Sequence, residues 1–257
     1  MQTPAAALLL VLTTLTGLGA AADYPKRAQR TQSAGNHTWY IDPDQGNDGN
    51  PGTSPSTAWK SMSPANRLIM SRGDTLVIQP GEHAASLALM GEGSRQAPVT
   101  IRFMPGRHVF KHGALVTGKP QISNTNDAPN EAKAMAIRLV EAKNVRLEGK
   151  PGATDILLEG KAIFVCMEHA ENVSLNGLGF DYVHPTMGEF LVTEVEGNTM
   201  KATIPDGTLY TVKDGSLTWR GPGWEFRMGG YSKVFDAASG TLSLIHISEP
   251  TRPISIS

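Results

Sequence analysis

One short stretch, Asp181-Tyr182-Val183-His184-Pro185-Thr186-Met187-Gly188-Glu189, sets two carboxylates, a phenol and an imidazole close together along the chain. Paired carboxylates are what glycoside hydrolysis needs: one protonates the leaving oxygen and the other activates water or attacks. A histidine nearby could bond a sugar hydroxyl. Asp181, His184 and Glu189 are therefore the candidate catalytic residues. The same stretch also suits a polar turn with His184-Pro185 as its corner. Further on, Trp219, Trp224 and Tyr231 are candidate substrate-binding residues, because aromatic faces bury large area and tolerate polar edges. They would equally serve as the core of a small β module.

A second group of oxygen ligands lies in Asp42-Pro43-Asp44-Gln45-Gly46-Asn47-Asp48-Gly49-Asn50-Pro51-Gly52-Thr53. Asp42, Asp44 and Asp48 are candidate Ca²⁺ ligands, since Ca²⁺ prefers several oxygens on a loop. The EF-hand spacing and its terminal Glu are missing, and tight turns use the same residues. No metal site or cofactor is assigned from this loop. The chain has no G-x-S-x-G, H-E-x-x-H, phosphate loop or C-x-x-C. Cys166 is the single cysteine, which excludes an intrachain disulfide. Its place in an apolar strand reads as a small buried residue rather than a nucleophile.

The elements that must hold these residues are marked by a repeated phrase. Ala142-Lys143-Asn144-Val145-Arg146-Leu147-Glu148-Gly149 returns 28 residues later as Ala170-Glu171-Asn172-Val173-Ser174-Leu175-Asn176-Gly177. A period of that size is the signature of a repeat architecture. Val145 and Leu147 alternate in an extended chain, as do Val173 and Leu175, Ile156 and Leu158, Ile163 and Val165. Glycines punctuate them where corners need positive φ. The expected fold is all-β: a right-handed parallel β-helix (solenoid), with Asn144 and Asn172 stacked at equivalent corners. Two unrelated hairpins in a sandwich are the competing arrangement.

Other segments fit around that core. Met1–Ala22 has an apolar centre, Leu8–Leu12, and an A-x-A site before Asp23, so it reads as a signal peptide for a secreted or periplasmic protein. No membrane span is expected after cleavage. Residues 23–38 read as a flexible leader. Residues 39–187 are the N-terminal part of the β-helix. Ser63 as N-cap, Pro64 at N1 and Gly73 at C′ predict a capping helix over 63–73. Gly118–Glu131 reads as a projecting loop. From 188 to 241, Gly-Asn and Asp-Gly turns between short apolar runs predict an inserted antiparallel, barrel-like module. Leu242–Arg252 resembles the frame translation of a transposon-end sequencing adapter. The expectation is that residues 242–257 are not native, that the protein is truncated near Thr241, and that His246 and Glu249 have no role.

Lys plus Arg number 23 and Asp plus Glu 24, so no global basic field argues for nucleic acid. Carbohydrate is the expected partner. The run from Ile137-Arg138-Leu139 through Asn144–Gly149 and Ile156–Gly160 to Glu171–Pro185 resembles the bacterial exo-α-1,3-galactosidases of glycoside hydrolase family 110. In that family the chain leaves such coils for an inserted β-barrel, and Phe190–Phe235 looks like that insert. The resemblance implies a metal-independent inverting glycosidase acting on terminal α-galactosides. It also implies that the family's catalytic carboxylates lie on later coils, so this chain alone would be inactive. Two other classes use such a scaffold: polysaccharide lyases, and non-catalytic carbohydrate-binding or adhesive proteins.

Overall fold

The computed structural model describes residues 25–120, 130–197, 199–228, 234–235, 238–239 and 242–243. The signal peptide, Tyr231 and most of the expected adapter tail lie outside them. The described chain is mostly β, and its strands recur in a fixed order. The first turn of chain contributes β1 (Thr31–Gln32) and β2 (Thr38–Ile41). The second has β3 (Leu68–Ser71), β4 (Thr75–Ile78) and β5 (Gly81–His83). The third has β6 (Leu87–Glu92), β7 (Val99–Phe103) and β8 (Gly106–Lys111), followed by β9 (Val116–Gly118). The fourth has β10 (Lys133–Val140), β11 (Lys143–Glu148) and β12 (Thr154–Glu159). The fifth has β13 (Ile163–Glu168), β14 (Glu171–Asn176) and β15 (Gly179–Tyr182).

Apart from β9, each of these strands pairs in parallel with its equivalent in the next turn. Leu147 faces Leu175 on one side and Ile101 on the other; Ile101 faces Leu76, and Leu76 faces Trp39. Val99, Val145 and Val173 form a second column. Ile137 pairs with Leu87 and Val165, and Ile156 with His108 and Phe180. The 28-residue offset of the sequence phrase is therefore the pairing register. A one-residue slip would turn every column outward, so burial itself specifies the register. The columns meet in one core, where Leu76, Ile101, Val145, Leu147, Ile156 and Leu158 are fully buried.

The asparagines close the corners. Asn144 and Asn172 have φ of 50° and 52°, in the left-handed region that Asn tolerates. Asn172 Nδ2 donates to Asn144 Oδ1 at 2.6 Å, and Asn144 Nδ2 donates to the Gly93 carbonyl at 3.0 Å. Each corner thus satisfies a polar group of the turn before it.

Three sequence expectations are corrected. The helix over 63–73 is a single 3₁₀ turn, Ala65–Arg67, and Leu68–Ser71 is strand β3. The capping signals exist, but pairing with β6 and burial of Ile69 and Met70 outweigh them. The end of the core is closed instead by Trp39 and Trp59, stacked at 6.3 Å, with Met62 and Ala65 buried. The Trp59 indole donates to Asn50 O at 2.8 Å and lies on Gly52, where a Cβ would overlap the ring.

The leader is partly built into the fold. Thr31–Gln32 pairs in parallel with Leu68–Ile69, and the Arg30 guanidinium donates to Ala88 O at 2.9 Å. Polar composition reported exposure, but the open edge of β3 still needed a partner. In the expected loop Gly118–Glu131, Gly118 closes β9, which runs antiparallel to Lys133–Met135; residues 121–129 lie outside the described ones.

After Gly188 every pairing among the described residues is antiparallel. β16 (Leu191–Glu196) pairs with β17 (Thr199–Thr203). β18 (Tyr210–Lys213), β19 (Ser216–Gly221) and β20 (Trp224–Arg227) form a meander. β21 (Val234–Phe235) pairs with β22 (Leu242–Ser243). Asp214 and Gly215 carry φ of 50° and 71°, the two positive angles of a tight hairpin turn. Among the described residues these are three separate sheets, not one closed barrel.

Burial falls off at the fifth turn: Leu147 is fully buried, whereas Leu175 is only half-buried. Leu147→Ala should cost about 3 kcal/mol, as in closed cores, and Leu175→Ala distinctly less. Urea denaturation of the two variants checks this; equal losses would mean that both sites are equally closed.

Candidate functional site

The chain leaves the parallel sheets at β15 and crosses Val183–Phe190 to reach β16. Asp181 is exposed, and its Oδ1 accepts the Tyr182 backbone N–H at 2.8 Å. The Tyr182 ring packs edge-on against Phe164 at 5.1 Å. His184 Nδ1 donates to Gly207 O at 3.0 Å, tying the exit to the loop before β18. Glu189 is exposed and makes no hydrogen bond or ion pair among the described residues. No hydrogen bond joins Asp181, His184 and Glu189 to one another. The trio is a junction between the parallel sheets and the antiparallel module. A second contact lies nearby, where His112 Nδ1 donates to Lys161 O at 2.7 Å and Lys161 N donates to Pro222 O at 3.0 Å.

The aromatic candidates separate. Trp219 is 3% exposed, stacks on Phe190 at 6.2 Å and meets Tyr210 edge-on at 6.1 Å. Gly188 lies so close that a Cβ there would overlap the indole. Trp219 is thus the core of the module and offers no face to a sugar. Its period-2 neighbours in an amphipathic sheet already favour that role. Trp224 is half-buried at the meander's edge, and Tyr231 lies outside the described residues.

The acidic loop is a turn framework. Asp42 Oδ1 accepts the N–H groups of Asp44 and Gln45 at 3.0 and 2.9 Å. Asp48 Oδ1 accepts those of Lys60 and Ser61 at 2.9 and 2.7 Å, and its Oδ2 accepts the Ser61 hydroxyl at 2.6 Å. These carboxylates order the loop that carries Trp59. Among the described residues no three His, Cys, Asp or Glu side chains gather as metal ligands, and Asp42, Asp44 and Asp48 are not brought together as such. Cys166 is buried beside Val116 and Met135, and burial pushes its thiol up from the ordinary range, with Glu168 adding to the effect.

A polar pair inside the core escaped the sequence reading. His83 and His108 are 2% and 0% exposed and stack at 5.3 Å. His108 Nε2 donates to Met104 O at 2.8 Å, so its Nδ1 must accept from His83 Nε2, 3.1 Å away. That leaves His83 Nδ1 as a bare acceptor with no partner. Gly81 pairs with His108 across β5 and β8, and a Cβ on Gly81 would overlap the Pro43 ring. The signal was present: Pro80-Gly81-Glu82-His83 and Pro105-Gly106-Arg107-His108 repeat the phrase P-G-x-H. Burial, then the His108 charge, pushes His83 down to about 3; burial likewise lowers His108.

Two concavities flank the turn between β6 and β7. The larger, about 690 Å³, has Gln32, Arg72, Glu92 and Gln96 in its wall. The smaller, about 150 Å³, has Arg95, Arg146, Asn172 and Ser174. Among the described residues no helix is long and apolar enough to cross a membrane.

No protein-family model matches the chain. Over 241 residues, 94% of its length, it is 87% identical to alpha-1,3-galactosidase A of Akkermansia muciniphila. Over 135 residues, 51% of its length, it is 30% identical to alpha-1,3-galactosidase A of Bacteroides thetaiotaomicron. The resemblance to the α-1,3-galactosidases is borne out. The chain spans 40% of the length of the Akkermansia relative and 23% of the Bacteroides one. Among solved structures, a GH136 lacto-N-biosidase from Eubacterium ramulus aligns with 57% of this chain and 34% of its own, at 16% identity and a TM-score of 0.39.

The histidine pair makes stability depend on pH. His83 is neutral when folded, with its value lowered from 6.5 to about 3. Its contribution is complete above 6.5 and is lost as pH falls toward 3, because only the unfolded chain takes up the proton freely. Between pH 7 and pH 5 the loss should be about 2 kcal/mol. Urea midpoints across that range check it. His83→Gln keeps a donor for His108 and removes the titrating group, so its stability should fall less; an equal fall in both proteins would contradict the assignment.

Proposed function

We propose that this chain is the N-terminal part of an exported exo-α-galactosidase that removes terminal α-1,3-linked galactose. The observation that carries the reading is the 87% identity over 241 residues to a protein named alpha-1,3-galactosidase A. The parallel triplets form the start of a right-handed β-helix. The strands after Gly188 form an insert that rides on it through the His184–Gly207 and Lys161–Pro222 hydrogen bonds. Residues 1–22 direct the protein to the periplasm or beyond and are cleaved after Ala22.

Hydrolysis in this reading is metal-independent and inverting. One carboxylic acid protonates the glycosidic oxygen, and a carboxylate on the other side of the sugar activates water. In the chain described here Asp181 and Glu189 stand exposed at a junction and Asp181 is bonded to its own neighbour's backbone. The acid and base are therefore assigned to the part of the parent that follows this chain, and the fragment by itself is inactive.

The test is galactose release from a terminal α-1,3-galactoside by the full-length parent and by this chain, with and without chelator. The parent should release galactose of inverted anomeric configuration in both conditions, and the chain alone none. A parent that instead yields unsaturated uronates from a polysaccharide is a lyase. Activity in the chain alone would return Asp181 and Glu189 to the catalytic role.

A further inference from the structure

The turn Ser94–Ala97 between β6 and β7 is closed on itself by hydrogen bonds. Ser94 N–H donates to Ala97 O at 3.0 Å, and Ala97 N–H donates to Ser94 Oγ at 3.0 Å. The turn is anchored to the neighbouring strand turns as well. Gly73 N–H donates to Ala97 O at 3.1 Å, and Gly93 N–H donates to Lys143 O at 2.9 Å. The asparagine ladder ends beside it, where Asn144 Nδ2 donates to Gly93 O.

What this framework presents is unspent. Arg95 and Gln96 project exposed from the tip and make no hydrogen bond or ion pair among the described residues. The turn divides the two concavities: Gln96 lines the larger and Arg95 the smaller. The larger adds Arg72 and Glu92, which are equally uncommitted, and at about 690 Å³ it has the size of a small-ligand pocket. Guanidinium, carboxylate and amide groups together can donate to and accept from vicinal hydroxyls. The smaller concavity holds two arginines and no carboxylate. Arg146 pairs across β11 and β14 with Ser174, whose hydroxyl also has no partner among the described residues. Two guanidinium groups repel unless an anion lies between them, and their forked donors fit a planar or tetrahedral oxyanion.

We propose that the Ser94–Ala97 turn is a binding site for an acidic oligosaccharide. Sugar hydroxyls occupy the larger concavity around Gln96, and a sulfate or carboxylate substituent sits on Arg95 and Arg146. The site rests on the carbohydrate reading above. Its use is to hold a charged glycan chain on the protein.

Calorimetric titration of this chain tests the site. The ligands are a neutral galactose-containing tetrasaccharide, its O-sulfated and its uronate-bearing counterparts, and sodium sulfate alone. At low salt one of the acidic sugars should bind about tenfold tighter than the neutral one. Whichever is tighter names the substituent, and sodium sulfate should bind more weakly than either. Arg95→Ala with Arg146→Ala should bring the acidic sugar to the neutral level, Arg146→Lys should restore part of the difference, and Gln96→Ala should weaken all the sugars. Unchanged unfolding midpoints show that the variants fold. Equal binding of acidic and neutral sugars, a preference that survives loss of both arginines, or sulfate binding as tightly as the sugars would overturn the site. A parent that releases galactose while this chain shows no acidic preference loses the site and keeps the hydrolase; the opposite pair of results does the reverse.

Discussion

Parallel pairing at a fixed register places Leu175 on Leu147, Leu147 on Ile101 and Ile101 on Leu76. Everything else in the molecule depends on that stacking. It buries a continuous core with strands of only four to six residues in most positions, none of which could be stable alone. It also sets each corner above the last, which is why two asparagines can bond in a ladder and why the turn Ser94–Ala97 finds backbone groups on both sides. The ends of such a stack need closing, because among the described residues the outermost strands pair on one side alone. At the first end Trp39, Trp59, Met62 and Arg30 close the core. At the fifth turn Phe180 and Met167 remain exposed.

The polar groups inside the core follow from the same geometry. A histidine placed in a column of apolar side chains must find its hydrogen bonds from the turns above and below. His108 does so with Met104 O and His83, and the pair stays neutral because charging either ring would bury a cation. The exit toward the antiparallel module is built differently. There His184 and His112 reach backbone carbonyls at the surface, and Trp219 supplies the module with its own small core. The carboxylates Asp42 and Asp48 show the same economy at the first end, each holding two backbone N–H groups of a tight loop.

The register was legible because A-x-N-V-x-L-x-G occurs twice: a repeated phrase carries both the alternation and its offset. The Asp214-Gly215 hairpin was legible for a similar reason, since few residue pairs tolerate two positive φ angles. What was not legible depended on partners far away in sequence. Ser63–Gly73 carries sound helix-capping residues, but β6 offers Ile69 and Met70 a strand edge that no local signal reveals. Thr31–Gln32 was hidden by its polarity, although its backbone does the pairing. Asp181, His184 and Glu189 looked like chemistry because types and spacing alone cannot separate a site from a junction. His83 and His108 went unread even though P-G-x-H announces them, because a pair of buried rings is defined by contact across strands rather than by spacing along one.

The central claim is the 28-residue register, and disulfide formation reads it most directly. In a Cys166→Ala background, cysteines at positions 146 and 174 face each other on neighbouring strands, roughly 4.8 Å apart at Cα, within reach of a disulfide. Cysteines at 146 and 176 lie two residues out of register, roughly 8 Å apart, beyond that reach. Mild oxidation followed by mass spectrometry should link the first pair rapidly and leave the second reduced. Equal linking of both pairs, or a first pair that stays reduced, would contradict the register and with it the stacked fold.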